Sequence, residues 1–227
     1  MNGFLKKYRT FLIAFALFSI GTLFLFYNAL KPVRILPIYQ PSEVSFELVD
    51  STLQHIKIKH RVADFSLKNQ NGEIITQRYY TNKIVVVDFF FTTCPTICPI
   101  MTNNMGAIQN KIKDQDQIKL LSFSVTPKID SVPQLKKYAI EKGVMDANWN
   151  LLTGDKKEIY TLARKSYFVV KEDGDGGPFD MIHTENFVLV DPERRIRGYY
   201  DGTSEEEMET LWADIQVLQN EYPSGSN

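Results

Sequence analysis

The run Ile84-Val85-Val86-Val87-Asp88-Phe89-Phe90-Phe91 ends just before Cys94 and Cys98, the only 2 cysteines of the 227-residue chain. An apolar run of this length, rich in β-branched and aromatic residues, reads as a strand covered on both faces, as in a parallel sheet. Parallel strands need crossover connections, usually helices, so this stretch commits the domain to a layered α/β architecture. It also delivers two thiols to the rim of the sheet, in the order Cys94-Pro95-Thr96-Ile97-Cys98-Pro99. The C-x-x-x-C spacing is one residue wider than the redox C-x-x-C. That extra residue tilts the reading toward a soft metal.

The flanking sequence supplies the remaining layers. Ala63–Leu67 and Glu73–Thr76 bracket Asn71-Gly72, a strong hairpin turn. Ile100–Ile112 predicts a helix with Met101, Met105, Ile108 and Ile112 on one face, the methionines serving as core. Strand, helix, strand and helix follow at Ile118–Val125, Val132–Lys142, Trp149–Leu152 and Lys156–Lys165. An acidic, glycine-rich loop, Glu172–Asp180, is expected to be solvated and mobile. A hairpin of Phe187–Val190 and Ile196–Tyr200 precedes a last helix from the Ser204 cap to Gln219, with Glu207 completing a capping box. These are the parts of a thioredoxin-like fold with an extra N-terminal β-hairpin.

Residues 11–30 form an uncharged, apolar stretch, long enough to cross the hydrocarbon core as one transmembrane helix. It lacks the short apolar core and small-residue cleavage site of a signal peptide. Lys6, Lys7 and Arg9 precede it, so the positive-inside rule places residues 1–10 in the cytoplasm and the remainder outside. A bacterial plasma membrane fits better than a mitochondrial one, because no Arg/Ser-rich transit segment precedes the span. Residues 31–61 are expected to be a tether, 62–221 the compact domain and 222–227 a loose tail. All 27 acidic residues but only 21 of the 26 basic ones lie beyond residue 34, giving the exported part a net charge of −6. That balance leaves no electrostatic footprint for nucleic acid.

Thiolates are soft ligands that select Cu(I), zinc or iron–sulfur clusters. Closed zinc sites and iron–sulfur clusters ordinarily take four protein ligands, and two cysteines fall short. Copper accepts two thiolates and an imidazole. Of the 3 histidines, His55 and His60 fall in or beside the expected tether, as solvated side chains. His183 opens the terminal hairpin, on the sheet rim that faces the cysteine loop. Met181, two residues away, would share its face if the chain is extended there. A helix starting just after Cys98 would favour its thiolate. A disulfide between cysteines four apart in a helical turn is also geometrically allowed, so redox chemistry and copper binding remain compatible.

Phe91-Thr92-Thr93-Cys94-Pro95-Thr96-Ile97-Cys98-Pro99 together with His183-Thr184 and Phe187-Val188-Leu189-Val190-Asp191-Pro192 resembles the Sco/SenC family of copper chaperones. The resemblance implies copper, as Cu(I) or Cu(II), on Cys94, Cys98 and His183. It implies delivery of copper to, or reduction of cysteines in, the binuclear centre of cytochrome c oxidase subunit II, served by a copper donor and a thiol reductant. A metal-free thiol–disulfide oxidoreductase is the alternative. Thr96, Thr126 and Ile182 stand where the family often has acidic residues.

Overall fold

The computed structural model describes Gly3 and residues 7–30, 34–43, 59–170, 177 and 180–223, in two separate units. His55 and most of the Glu172–Asp180 loop lie outside the described residues. In the first unit, helix α1 (Arg9–Ala29) is long and apolar enough to cross a membrane. At 1.5 Å per residue it spans about 30 Å. Thr22, inside this apolar stretch, turns its hydroxyl back onto Phe18 O (3.1 Å) and Ser19 O (2.9 Å), so the polar group of that side chain is satisfied within the helix.

The second unit is built on seven strands: β1 (Ser66–Asn69), β2 (Ile74–Thr76), β3 (Ile84–Phe90), β4 (Ile118–Ser124), β5 (Trp149–Thr153), β6 (Asn186–Val190) and β7 (Ile196–Asp201). Their order is β2-β1-β5-β4-β3-β6-β7. The three central strands β3, β4 and β5 are parallel, and the outer pairs are antiparallel. Gly72 takes φ +81° in the β1–β2 turn, a left-handed conformation that costs glycine nothing.

Every residue of β3 is buried, and side-chain alternation divides it between two cores. Val85, Val87 and Phe89 meet Phe65, Tyr80, Phe123 and Tyr167 on one face. Ile84, Val86 and Phe90 meet Met101, Met105, Leu135 and Leu211 on the other. The second face is covered by α2 (Ile97–Ile112), α3 (Val132–Lys142) and α5 (Glu205–Glu221). Both methionines are fully buried, as core. Ser204 caps α5 by accepting from the Glu207 N–H at 3.3 Å.

Three expectations need correction. The helix expected at Lys156–Lys165 is α-helical only in α4 (Lys156–Thr161) and widens into a π-turn over Leu162–Ser166, where Tyr167 N–H reaches Leu162 O at 2.8 Å. The tether is shorter than residues 31–61, because the compact unit starts at Leu36. Buried Arg197 donates to Leu36 O (2.9 Å) and Pro37 O (3.0 Å) while pairing with Asp191 and Glu221, and Tyr39 N–H bonds Ile196 O (2.9 Å). Tyr222 belongs to the domain rather than the tail, since its hydroxyl donates to Asp191 at 3.2 Å.

Leu36 is 4% exposed and sits in the core shared with α2 and α5. Leu36→Ala is therefore expected to destabilise the domain by about 2–3 kcal/mol, as for other buried leucines. Urea unfolding would measure it, and an unchanged midpoint would return this segment to the status of a free tether.

Candidate metal centre

The parallel strands all end at one edge of the sheet, and the cysteine loop leaves β3 there. Asp130, fully buried, holds the loop from below. Its carboxylate accepts from Thr92 N–H (3.2 Å), Thr92 Oγ1 (2.5 Å), Ser124 Oγ (2.6 Å) and Thr126 Oγ1 (3.0 Å). The hydroxyl of Thr126 thus donates where an acidic side chain would place a second negative charge beside a buried one.

Cys94 and Cys98 are both free thiols, and they differ in environment. Cys94 is 8% exposed and receives the Cys98 N–H at 3.5 Å, with Thr96 Oγ1 at 3.8 Å. Burial alone would push its thiol up, but hydrogen bonds from the Thr96 and Cys98 N–H groups and from both neighbouring side chains outweigh it and leave the pKa below the ordinary value. Cys98 is 3% exposed, and burial pushes its thiol up to about 12, with contributions from Cys94 and Asp88. Helix α2 begins at Ile97, so Cys98 lies within the first turn and its N–H serves the other sulfur. The expected lowering by the helix terminus therefore falls on Cys94. Thr96 fits this arrangement, since a hydroxyl can donate to a thiolate and a carboxylate would repel it.

Strand β6 runs antiparallel to β3, with Val85 opposite Val190 and Val87 opposite Val188, so its start lies at the cysteine edge. His183 stands just before that start. Its ring meets Phe91 edge-on at 5.8 Å between centroids, three residues ahead of Cys94. The imidazole is exposed, and among the described residues it makes no hydrogen bond. Ile182 and Thr184 on either side are buried, which accounts for an isoleucine where an acid could not be hydrated. Met181 is exposed at 42%. The fold brings the two sulfurs together and sets the imidazole beside their loop. Among the described residues it does not close a group of three ligands around one point.

The other histidine and loop expectations change. His60 is not a solvated side chain: its ring lies on Phe168 at 4.6 Å and its Nε2 is 2.8 Å from Ser166 O. Burial lowers its pKa against the opposing effect of that bond. The end of the acidic loop is anchored, because Asp180 takes two bonds from Arg164 (2.8 and 2.7 Å) and its carbonyl accepts from Lys156 (2.6 Å).

Buried Asp130 and Asp88 escaped the sequence reading. Asp130 gives no signal, because the cysteine loop it holds through Thr92 lies 38 residues away, even though Ser124 and Thr126 are close in sequence. Asp88 does give one, as the single charge in an apolar strand. It is 2% exposed on the α2 face, its Oδ1 has no hydrogen-bond partner among the described residues, and burial pushes its pKa up to about 7.

Comparison with known proteins gives a consistent picture. The SCO1 protein homolog of Bacillus subtilis is 32% identical over 167 residues, covering 72% of this chain and 86% of its own. BsSco, described as a Sco-family cytochrome c oxidase assembly protein with a disulfide switch, superposes with a TM-score of 0.60. Its identity is 31%, and the match covers 71% of this chain and 94% of that one. Arabidopsis thaliana ScoI with copper bound gives 0.55 at 27% identity, covering 68% and 97%. The SCO1/SenC family pattern matches residues 54–219, and with the cysteine loop on a thioredoxin-like sheet the chain belongs to that family.

Proposed function

We propose that this chain is a copper metallochaperone held by α1 in a bacterial plasma membrane, with its domain on the outer side. Cys94, Cys98 and His183 bind the ion, and the client is the binuclear copper centre of cytochrome c oxidase subunit II. The observation that carries the reading is the pair of free thiols at a sheet edge, with an exposed imidazole against Phe91 beside them. Two relatives support it: a plant Sco protein with copper bound and an oxidase assembly protein of the same fold. Lys6, Lys7 and Arg9 ahead of the helix favour the outward orientation.

Two thiolates and an imidazole suit Cu(I), and the imidazole also suits Cu(II). Cys94, held below its ordinary pKa by hydrogen bonds to its sulfur, gives up its proton more readily, whereas Cys98 gives up its proton only when the ion compensates the charge. Loading therefore releases a proton and strengthens as pH rises. His183 closes the set by a movement of its side chain or short segment, and it is the exposed ligand through which a partner exchanges.

A second reading rests on the unequal thiols. The Cys94 thiolate attacks a partner's disulfide, forming a mixed disulfide and expelling one partner thiolate. Cys98 then loses its proton and attacks Cys94 Sγ, which leaves a Cys94–Cys98 disulfide and a reduced partner.

Copper titration of the reduced full-length protein in detergent separates the two. Cys94→Ala, Cys98→Ala and His183→Ala are each expected to weaken copper binding by about tenfold or more, as for loss of a metal-site group. Unchanged stoichiometry and affinity in His183→Ala would overturn the three-ligand site. Disulfide formation that survives in that variant, without copper retention in the wild type, would favour the oxidoreductase.

A further inference from the structure

At the end of the sheet opposite the cysteines lies an open pocket of about 240 Å³ lined by Arg61, Gln77, Arg78, Thr81, Glu193 and Arg194. Three elements build it: the 3-10 turn Gln77–Tyr80 ahead of β3, the β6–β7 turn, and the segment entering β1. We propose that this pocket binds the phosphate of an anionic phospholipid headgroup.

Charge is the first argument. The lining holds three guanidinium groups and one carboxylate, in a domain whose residues beyond 34 carry −6 overall. Arg61 pairs with Glu193 at 3.4 Å, with both side chains about half exposed, so water screens the pair and it yields easily to a stronger anion. Arg194 pairs with Asp64, itself 68% exposed. Arg78 is exposed and makes no ion pair among the described residues. A planar guanidinium fork matches two phosphate oxygens at once, and Thr81 and Gln77 add neutral polar groups to the same concavity.

Backbone conformation is the second. Arg194 sits at φ +65° in the hairpin turn, a conformation that glycine or asparagine adopts at lower cost. The cation held there lines the pocket beside Asp64, and its N–H is already committed to Asp191 O at 2.8 Å.

Position selects the lipid over other phosphates. Val62 N–H bonds Arg194 O at 2.8 Å, Tyr39 N–H bonds Ile196 O at 2.9 Å, and Arg197 grips Leu36 O and Pro37 O. The chain therefore joins its domain at the pole that carries the pocket. Only residues 30–35 separate the end of α1 from Leu36. In the proposed membrane-anchored protein, on which this inference rests, the pole that carries the pocket is the part of the domain nearest in sequence to the membrane segment.

The test uses the full-length protein in a neutral detergent, titrated by calorimetry with soluble short-chain phosphatidylglycerol, short-chain phosphatidylcholine and inorganic phosphate. Phosphatidylglycerol is expected to bind about tenfold or more tightly than phosphatidylcholine, and Arg78→Glu to remove that preference, as for lost charge-assisted hydrogen bonds. Arg78 is exposed, so the variant should fold, and an unchanged copper affinity at Cys94 would confirm an intact domain. Equal affinity for the two lipids, or an unchanged preference in Arg78→Glu, overturns the site. Inorganic phosphate binding as tightly as phosphatidylglycerol overturns the lipid assignment. Carbonate extraction of membranes tests the anchor separately, so failure of that reading is distinguishable.

Discussion

Brief treatment of the reduced protein with iodoacetamide at pH 7 is expected to label Cys94 and leave Cys98 almost untouched. The thiolate is the reactive species. With a pKa pushed up to about 12, Cys98 is ionised in roughly one molecule in 10⁵ at that pH. Cys94 is held below its ordinary value by the hydrogen bonds its sulfur receives, so a far larger share of it is thiolate. The more basic sulfur is the better nucleophile once ionised, which recovers only part of that difference. A clear preference for Cys94 remains, before steric cover adds to it. Raising the pH should bring Cys94 to a plateau first, while Cys98 goes on gaining about tenfold per unit. Peptide mass spectrometry after timed quenching reads both sites. Equal labelling rates would remove the division of labour between the sulfurs, and with it both the proton release on copper loading and the order of attack in the redox alternative.

The stability of the domain should fall between pH 4 and pH 7 through Asp88, and Asp88→Asn should abolish that component. The folded carboxyl, raised to about 7 by burial, keeps its proton in a range where the unfolded one, near 3.8, has lost it. The folded state then binds more protons than the unfolded one, so this contribution is fully present below pH 3.8 and lost as pH rises through 7. Its size is about 4 kcal/mol across the window. Asp116, held down to about 2 by Lys119 and Lys83, works in the opposite direction but is exposed and common to both proteins. It cancels in the difference. Urea denaturation at pH 4 and pH 7 for the two proteins measures the effect, and parallel profiles would show that water or a partner reaches the carboxylate. Because ionised Asp88 also raises the Cys98 thiol, the two groups oppose each other's deprotonation.

Local patterning made the core of this fold legible. The apolar run of β3, the Asn71-Gly72 turn and the Ser204 cap each act within a few residues, and each stands where it was expected. The Cys94 loop and His183 share one sheet edge because parallel β3 ends where antiparallel β6 begins, a consequence of topology that alternating elements already suggest. What escaped is nonlocal. Nothing in Leu36-Pro37 announces that a buried arginine 160 residues away will hold its carbonyls. The π-turn reflects packing of Tyr167 and Phe168 into the core rather than any periodicity in Leu162–Ser166. The unequal thiols depend on which sulfur faces the first turn of α2, a matter of angstroms that spacing does not encode.

In the proposed three-ligand site, Arg164 and Asp180 bear on how fast the ligand set can change. Their double contact fixes the backbone three residues before His183, and β6 fixes it again three residues after. Between two such posts the imidazole can sweep an arc but cannot travel with a long flap. Its approach to the sulfurs and its retreat then belong to the quick regime of side-chain and short-loop motion, nanoseconds to microseconds. Residence of the cargo would be governed by bond strength at sulfur, with the gate itself imposing no delay.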